Sequence, residues 1–485
     1  MINKETSRKP NIVFILADDH GAWALGSAGN HEIQTPHLDH LAEEGTRFDS
    51  FFCASPVCSP ARASILTGKI PSQHGVHDWI SSGNVNITEI NEDIRGKFPG
   101  EVSAVEYLQG QLTYTELLAS SGYNCALSGK WHLGNSTKPQ KGFSNWFTIA
   151  RGGCSYMAPD VVENGQVKIE NRYITDLITE HALHYLDELS KEEKPFYLSV
   201  HYTAPHSPWD RSEHPEEYIQ LYENCSFNSV PDLPTHPDLS PSCPTGQGEQ
   251  RKELLQGYYA SVTAMDAGIG SILSRIEELG HKEDTLVIFM GDNGMNMGHH
   301  GIWGKGNGTF PLNMYDTSVK VPAIFRHPGV IPAGSICDEL VSQYDIFPTL
   351  CDYLGITAPE QDAMPGVSFA SLLNGDDNSC REDVVIFDEY GPVRMIRTKE
   401  WKYVHRYPYG PHELYDLRND PEENVNRVDD PTCKDCLNDM RSRLADWFRQ
   451  YVVPERDGVY APVSGSGQLA PIWDGRSEGE RFSRL

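Results

Sequence analysis

Cys58 and Arg62 are four residues apart in the run Cys58-Ser59-Pro60-Ala61-Arg62-Ala63-Ser64-Ile65-Leu66-Thr67-Gly68. If Pro60 opens a helix, Arg62 lies one turn beyond the thiol and can fold back toward it. The free N–H groups of the first turn would also favour negative charge. Both effects point to an anion at Cys58, although the segment standing alone reads more simply as a buried thiol near a helix start. Asp18-Asp19 and Asp292-Asn293 are two further pairs, and adjacent carboxylates repel unless a cation or partner compensates them. Either pair alone is as readily a helix N-cap. Together, at the ends of strands in one sheet, they can converge on one ion, and all-oxygen ligands select Ca²⁺ or Mg²⁺ over zinc. In Gly129-Lys130-Trp131-His132-Leu133-Gly134 the lysine and histidine are two apart, so in an extended stretch both face the same side and can meet one anion. The segment reads equally as an exposed polar loop.

Such groups need elements to aim them. Asn11 to Ala17 is a β-branched-rich run of the kind buried on both faces of a parallel sheet, and it ends at Asp18-Asp19. Thr35 then offers an N-cap, Pro36 a first helical residue and Gly45 a stop. Phe196 to His201 and Leu286 to Gly291 are further buried-strand candidates. Between them Leu255, Tyr258, Val262, Met265, Ile269, Ile272 and Ile276 mark a long amphipathic helix that stops at Gly280. This alternation predicts an α/β fold, a mostly parallel central sheet with helices on both faces, and places ligands beyond the carboxyl ends of the strands.

After about Cys380 the texture changes. Short runs at Val384 to Phe387, Val393 to Thr398, Trp401 to His405 and Glu413 to Leu417, then a helix through Leu444, Trp447 and Phe448, predict a smaller C-terminal α+β subdomain with an antiparallel sheet. The expected division is 1–380 for the catalytic α/β domain and 381–485 for the subdomain and tail. The Gly-, Ser- and Pro-rich stretch from Pro454 is expected to drape over the surface.

The 485 residues suffice for a large core, and a net charge of −28 argues against a surface that attracts nucleic acid or anionic lipid as a whole. An anionic substrate would need a local cluster of Lys, Arg, His and metal. The eleven cysteines, an odd number scattered along the chain, fit reduced thiols better than a disulfide scaffold. Cys433-Lys434-Asp435-Cys436 has no second pair at zinc-site spacing and reads as incidental. Residues Met1 to Pro10 contain no apolar signal region and no stretch reaches membrane-spanning length, so the sequence as given is expected to be cytoplasmic.

The Cys-x-Pro-x-Arg run leading into Leu-Thr-Gly resembles the signature of type I sulfatases of the alkaline phosphatase superfamily. The resemblance implies that Cys58 is oxidised to formylglycine, whose hydrate attacks sulfate esters. It implies that Asp18, Asp19, Asp292 and Asn293, together with the modified Cys58, hold a divalent ion, calcium or in its place magnesium. The Gly129 to Gly134 segment is similar to one that brings Lys130 and His132 to the sulfate. Pro205-His206-Ser207-Pro208 resembles a loop whose histidine meets the bridging oxygen, and an imidazole titrating near working pH can protonate a leaving alkoxide. His201 is read as a structural strand-end residue. Gly298-His299-His300-Gly301-Ile302-Trp303-Gly304-Lys305 resembles the family's late lysine segment, with Lys305 on a sulfate oxygen; His299 and His300 stay outside the metal set, because adjacent histidines rarely share one ion. Arg62 would hold the hydrated aldehyde. Ser342 to Thr349 and Glu413 to Pro421 look like framework segments of the same family.

The implied activity is hydrolysis of a small organic sulfate ester, a sulfated sugar foremost, with a formylglycine-generating enzyme as maturation partner, no nucleic acid and no membrane. A phosphonate monoester or phosphodiester hydrolase of the same superfamily stays open at this point, as does a non-catalytic anion-binding protein. Substrate position is not legible. His77-Asp78-Trp79, Arg151 and Tyr156 suit a sugar pocket but equally suit ordinary packing.

Overall fold

Along β1 (Asn11–Ala17) side chains alternate between two cores: Ile12, Phe14 and Leu16 enter one, Val13, Ile15 and Ala17 the other. Burial on both faces is why this strand is apolar without interruption. The computed structural model describes residues 9–359, 363–376, 380–387, 392–461, 465–473, 475 and 478–483. β1 lies in the middle of a ten-stranded sheet with β2 (Asn124–Gly129), β3 (Phe196–His201) and β4 (Thr285–Gly291), in the order β4-β1-β3-β2, every neighbour parallel. Beyond β2 come Asn145–Ile149 in parallel and the antiparallel strands Asp160–Glu163 and Gln166–Ile169. Beyond β4 come Ala323–Arg326 and Thr46–Phe48, each antiparallel to its inner neighbour, then Ser335–Cys337 parallel to Thr46–Phe48.

Because the four middle strands are parallel, their carboxyl ends share one edge, and the chain leaves each of them on a residue that can do chemistry. Asp18 follows β1, Lys130 follows β2, Tyr202 to His206 follow β3 and Asp292 follows β4.

Helices α1 (Pro36–Glu43), α2 (Cys58–Thr67), α3 (Ile174–Leu189) and α4 (Glu249–Glu278) cover the two faces, α1, α3 and α4 on one and α2 on the other. The start of α1 departs from expectation. Thr35 occupies the N-cap position, but its side chain makes no capping bond to the helix; the N–H groups of His37 and Leu38 donate instead to the two oxygens of Asp266, on α4, at 3.1 and 2.8 Å. A buried carboxylate from another helix satisfies the orphan donors that Thr35 was expected to take.

The C-terminal strands Val384–Phe387, Val393–Arg397, Trp401–Arg406 and Glu413–Asp416 form an antiparallel sheet in chain order, and Met440, Leu444 and Phe448 of α5 (Lys434–Tyr451) pack in its core. Ala54, Ile70 and Tyr344 of the larger part share that core. The tail does more than drape. Gln468 and Ala470 are fully buried, and the Gln468 backbone pairs with Trp79 and Ser81, because a glutamine at this point satisfies polar groups of the 75–81 segment that burial would otherwise strand. All eleven cysteines are unbridged. Among the described residues no helix is long and apolar enough to cross a membrane.

Candidate active site

Helix α2 begins on Cys58 itself, two positions earlier than a helix opened by Pro60 would suggest, and all ten of its residues are buried. Its preceding residue is Val57, whose side chain offers no cap, so first-turn N–H groups remain beside Cys58. The Cys58 Sγ stands 3.2 Å from Asp18 Oδ1 and 3.1 Å from Lys305 Nζ. Lys305 also donates to Asp19 Oδ1 at 2.6 Å, and Lys130 Nζ reaches Asp18 Oδ2 at 2.5 Å. Asp18, Asp19 and Asp292 bring carboxylate oxygens within 4.8 Å of one another, and Asp18, Cys58 and His206 form a second group on the same criterion. Residues 18, 19, 58, 130, 206, 292, 293 and 305 therefore meet in one place.

Burial sets the electrostatics. The Cys58 thiol is pushed up to about 12 by desolvation and by the Asp18 charge, so as a plain thiol it is protonated and a poor nucleophile. Burial also raises Asp18, but Lys130, His206, Arg62 and Lys305 outweigh it and hold this carboxyl well below the usual range. Asp292 goes the other way, to about 7, through burial and the neighbouring Asp18 charge. Burial opposes the charge on Lys305, yet Asp19 more than compensates and keeps it firmly protonated.

A trio of carboxylates in which one is driven toward neutrality is a place that gains from a hard dication. Asn293 adds the decisive donor. Its Nδ2 is engaged with Asp19 Oδ1 at 2.8 Å and Gly294 O at 2.9 Å, whereas its fully buried Oδ1 has no hydrogen-bond partner among the described residues. A buried, orphaned amide oxygen beside a cluster of carboxylates is costly unless a cation takes it, so the residues present fit an oxygen-ligated ion. Asp19 sits at φ 61, a left-handed conformation that aspartate tolerates better than most residues, and Tyr258 Oη pins it by donating to its carbonyl at 3.0 Å.

Two histidines near this cluster have tautomers fixed by backbone carbonyls. His132 Nε2 lies 2.9 Å from Ile80 O; a carbonyl only accepts, so Nε2 carries the proton and the buried Nδ1, which has no partner among the described residues, keeps its lone pair. Burial and then Lys130 hold His132 well below the usual imidazole range, so the ring is neutral. His206 Nδ1 donates to Ser207 O at 2.7 Å, leaving Nε2 toward Asp19 at 3.7 Å, on a side chain 24% exposed. His201 contacts Lys130 O and Ser199 Oγ and has a structural place.

Arg62 comes near the thiol, its Nη2 3.9 Å from the Asp18 Oδ1 that faces Cys58 Sγ, but its hydrogen bonds run to Asp292 Oδ2 through Nε at 3.0 Å and to the Lys130 carbonyl at 3.0 Å, so it clamps the β4 and β2 ends together. Of the suggested pocket residues, Asp78 and Tyr156 are fully buried and His77 nearly so, and Arg151 is paired through two nitrogens with Asp160. Tyr156 Oη donates to the His206 carbonyl at 2.8 Å, a supporting contact rather than a pocket wall.

Several contributors carry no side-chain signature. Ile80 acts through its carbonyl. Gly152 stands so close to His132 that a Cβ there would lie 2.1 Å from Nε2, while one at Gly153 would lie 3.5 Å from His206 Cε1. Gln343 donates to both Gly291 O and Asp292 O at 2.8 Å and fixes the end of β4. A lone Gly-Gly in a polar loop and a glutamine in a framework segment were the available signals, and neither specifies a partner.

Residues 10–356 match the family model described as Sulfatase, and residues 298–450 match the one described as N-sulphoglucosamine sulphohydrolase, C-terminal. The chain is 30% identical over 459 residues to an ulvan-active sulfatase of Formosa agariphila, covering 90% of this chain and 80% of that protein. It is 28% identical over 497 residues to an N-acetylglucosamine-6-O-sulfatase of Bacteroides thetaiotaomicron, covering 87% and 83%. A solved structure of a protein in complex with its substrate D-glucosamine-2-N,6-O-disulfate superposes with a TM-score of 0.75 at 24% identity, over 93% of this chain and 100% of that one, which establishes the shared fold.

Proposed function

The chain belongs to the sulfatase family and hydrolyses sulfuric esters, and from that premise we propose that it removes sulfate from a small sulfated sugar, using a formylglycine made from Cys58 and a calcium ion, with magnesium as the alternative. The observation that carries this reading is the placement of Cys58 Sγ between Asp18 and Lys305, at 3.2 and 3.1 Å, beside the orphaned Asn293 Oδ1. The sugar is supported by the two relatives, one named as ulvan-active and one as acting on N-acetylglucosamine-6-O-sulfate. Both are sulfatases, which sets aside the phosphonate-ester and non-catalytic alternatives.

Oxidised and hydrated, residue 58 supplies one hydroxyl to attack sulfur and a second whose deprotonation expels sulfate, a route that a thiol pushed up to about 12 does not offer. Asp18, Asp19, Asp292 and Asn293, with the modified residue 58, would hold a hard dication, which would supply charge to acidify the attacking hydroxyl and offset the sulfate oxygens. Lys130 and Lys305, both buried and protonated, spread the negative charge of the transferring group. His206, tethered through Nδ1–H and partly exposed beside the Asp19 carboxylate, acts as the imidazolium: it presents Nε2–H to the leaving oxygen, protonates it and is left neutral with its proton on Nδ1. His132, with its proton fixed on Nε2, offers Nδ1 to take the proton of the second hydroxyl. Arg62 holds Asp292 and the Lys130 backbone in register, which fixes the ends of β4 and β2 relative to each other.

Mass spectrometry of the peptide around Cys58, from cells that contain a formylglycine-generating enzyme, tests the nucleophile. An aldehyde is expected, and unmodified thiol in a fully active sample overturns it. Sulfate release from a panel of position-defined sulfated monosaccharides and disaccharides tests the substrate class. Turnover of one position is expected, and activity confined to aryl sulfates overturns the sugar reading.

A further inference from the structure

We infer that Gln468 is a positioning residue for the active site: the C-terminal tail, paired along residues 79–81, holds the Ile80 carbonyl where it fixes the imidazole of His132. The inference rests on the proposed role of His132 as base and adds to it a part of the chain more than three hundred residues away in sequence.

In an extended segment successive peptide groups point to opposite sides. On one side of residues 79–81, Trp79 O accepts from Gln468 N at 2.7 Å and Ser81 N donates to Gln468 O at 3.0 Å, with Ile80 and Gln468 in parallel register. The peptide groups of Ile80 itself therefore face away from the tail. Its N–H donates to Ser59 Oγ at 3.1 Å, next to the nucleophile, and its carbonyl accepts from His132 Nε2 at 2.9 Å. The tail thus grips the back of a segment whose front orients both the start of α2 and the base.

The side chain of Gln468 strengthens this grip. Fully buried, it accepts from His77 N at 2.9 Å and Asp78 N at 3.4 Å through Oε1, and donates to Gly75 O and Ala470 O at 3.0 Å through Nε2. In return the Asp78 carboxylate accepts from Gly467 N at 3.0 Å. Removing the amide leaves buried donors and acceptors on the turn before Ile80, so the segment shifts to repair them and carries the carbonyl with it.

The test uses the full chain labelled with ¹⁵N-histidine. A proton–nitrogen correlation of the imidazoles is expected to show a solvent-protected Nε2–H that is missing in His132→Ala. In Gln468→Ala and in Gln468→Met, which keeps the length without the polar ends, that signal is expected to vanish or to exchange at least about tenfold faster, while circular dichroism reports a folded protein. An unchanged signal in either folded variant overturns the inference. Loss of fold in both also overturns it, since the tail then supports the domain rather than the ring. The role of His132 is tested apart, by turnover of 6-O-sulfated N-acetylglucosamine in His132→Ala: full activity there removes the base, whatever the tautomer signal shows.

Discussion

Lys305 Nζ lies 3.1 Å from Cys58 Sγ and 2.6 Å from an oxygen of Asp19, three groups brought together from opposite ends of the α/β core. The lysine is buried, so its charge acts in a low-dielectric surrounding where it is worth more to a developing anion than it would be in water. Lys305→Met, which keeps the stem and removes the charge, is expected to lower kcat by about a hundredfold to a thousandfold, the range seen when one preorganised donor is removed. Steady-state kinetics, with circular dichroism to confirm the fold, check this. Activity within a few-fold of the parent would remove Lys305 from the sulfate site.

Asp18, Asp19 and Asp292 crowd together with Asn293 Oδ1 left over. Calcium is therefore expected to raise the thermal unfolding midpoint, by mass action on the folded state, and a chelator to lower it. In Asn293→Ala the affinity measured by calorimetry should fall at least about tenfold, no less than the loss seen when a group behind the ligands is removed. Equal stabilisation of parent and variant would mean that the ion binds elsewhere.

Three of the four middle strands were legible because burial on both faces demands apolar runs, whereas Asn124–Gly129, with Asn, Ser and Gly among its six residues, carries no such run; the acidic pairs were legible because the apolar runs break abruptly into Asp18-Asp19 and Asp292-Asn293. Cys58 and Arg62 were recognisable by type and spacing, but the partner of Arg62 was not: a helix position says which way a side chain leans, not that Asp292 waits at the end of another strand. Lys305 follows two short strands and a tight turn with no periodicity, so only the family resemblance pointed to it. Ile80 contributes a carbonyl, which every residue has. Asp266 and Gln468 act on segments far away in sequence, and long-range pairing by a single polar side chain leaves no local pattern.

Asp266 offers a pH test away from the reaction centre. Burial raises its carboxyl to about 7 despite the two N–H groups it accepts from α1. A carboxyl with a raised folded pKa binds more protons folded than unfolded, so its contribution is fully present at low pH and is lost as pH rises through about 7. Asp266→Asn stays neutral throughout. The unfolding midpoint of the parent should therefore drop relative to the variant between about pH 5 and about pH 8. A constant difference across that window would show that Asp266 is ionised in the fold at all these values.

Gly152 and Gly153 form a matched pair beside the two histidines, and the difference between them is steric. A Cβ at Gly152 would lie 2.1 Å from His132 Nε2 and 2.2 Å from Cε1, far inside contact distance, whereas at Gly153 its nearest neighbour would be His206 Cε1 at an ordinary 3.5 Å. In Gly152→Ala the ring must turn off the Ile80 carbonyl or the loop must lift, and either change misaligns Nδ1. The expected loss in kcat is about a hundredfold, the low end of what a positioned base contributes. Gly153→Ala should stay within about threefold of the parent, since a contact at van der Waals distance asks nothing of its neighbour. Measuring both variants on one substrate, with unfolding midpoints alongside, separates ring displacement from general damage to the loop. Equal losses in the two would place the fault in the backbone and remove the argument that His132 needs its present orientation to work.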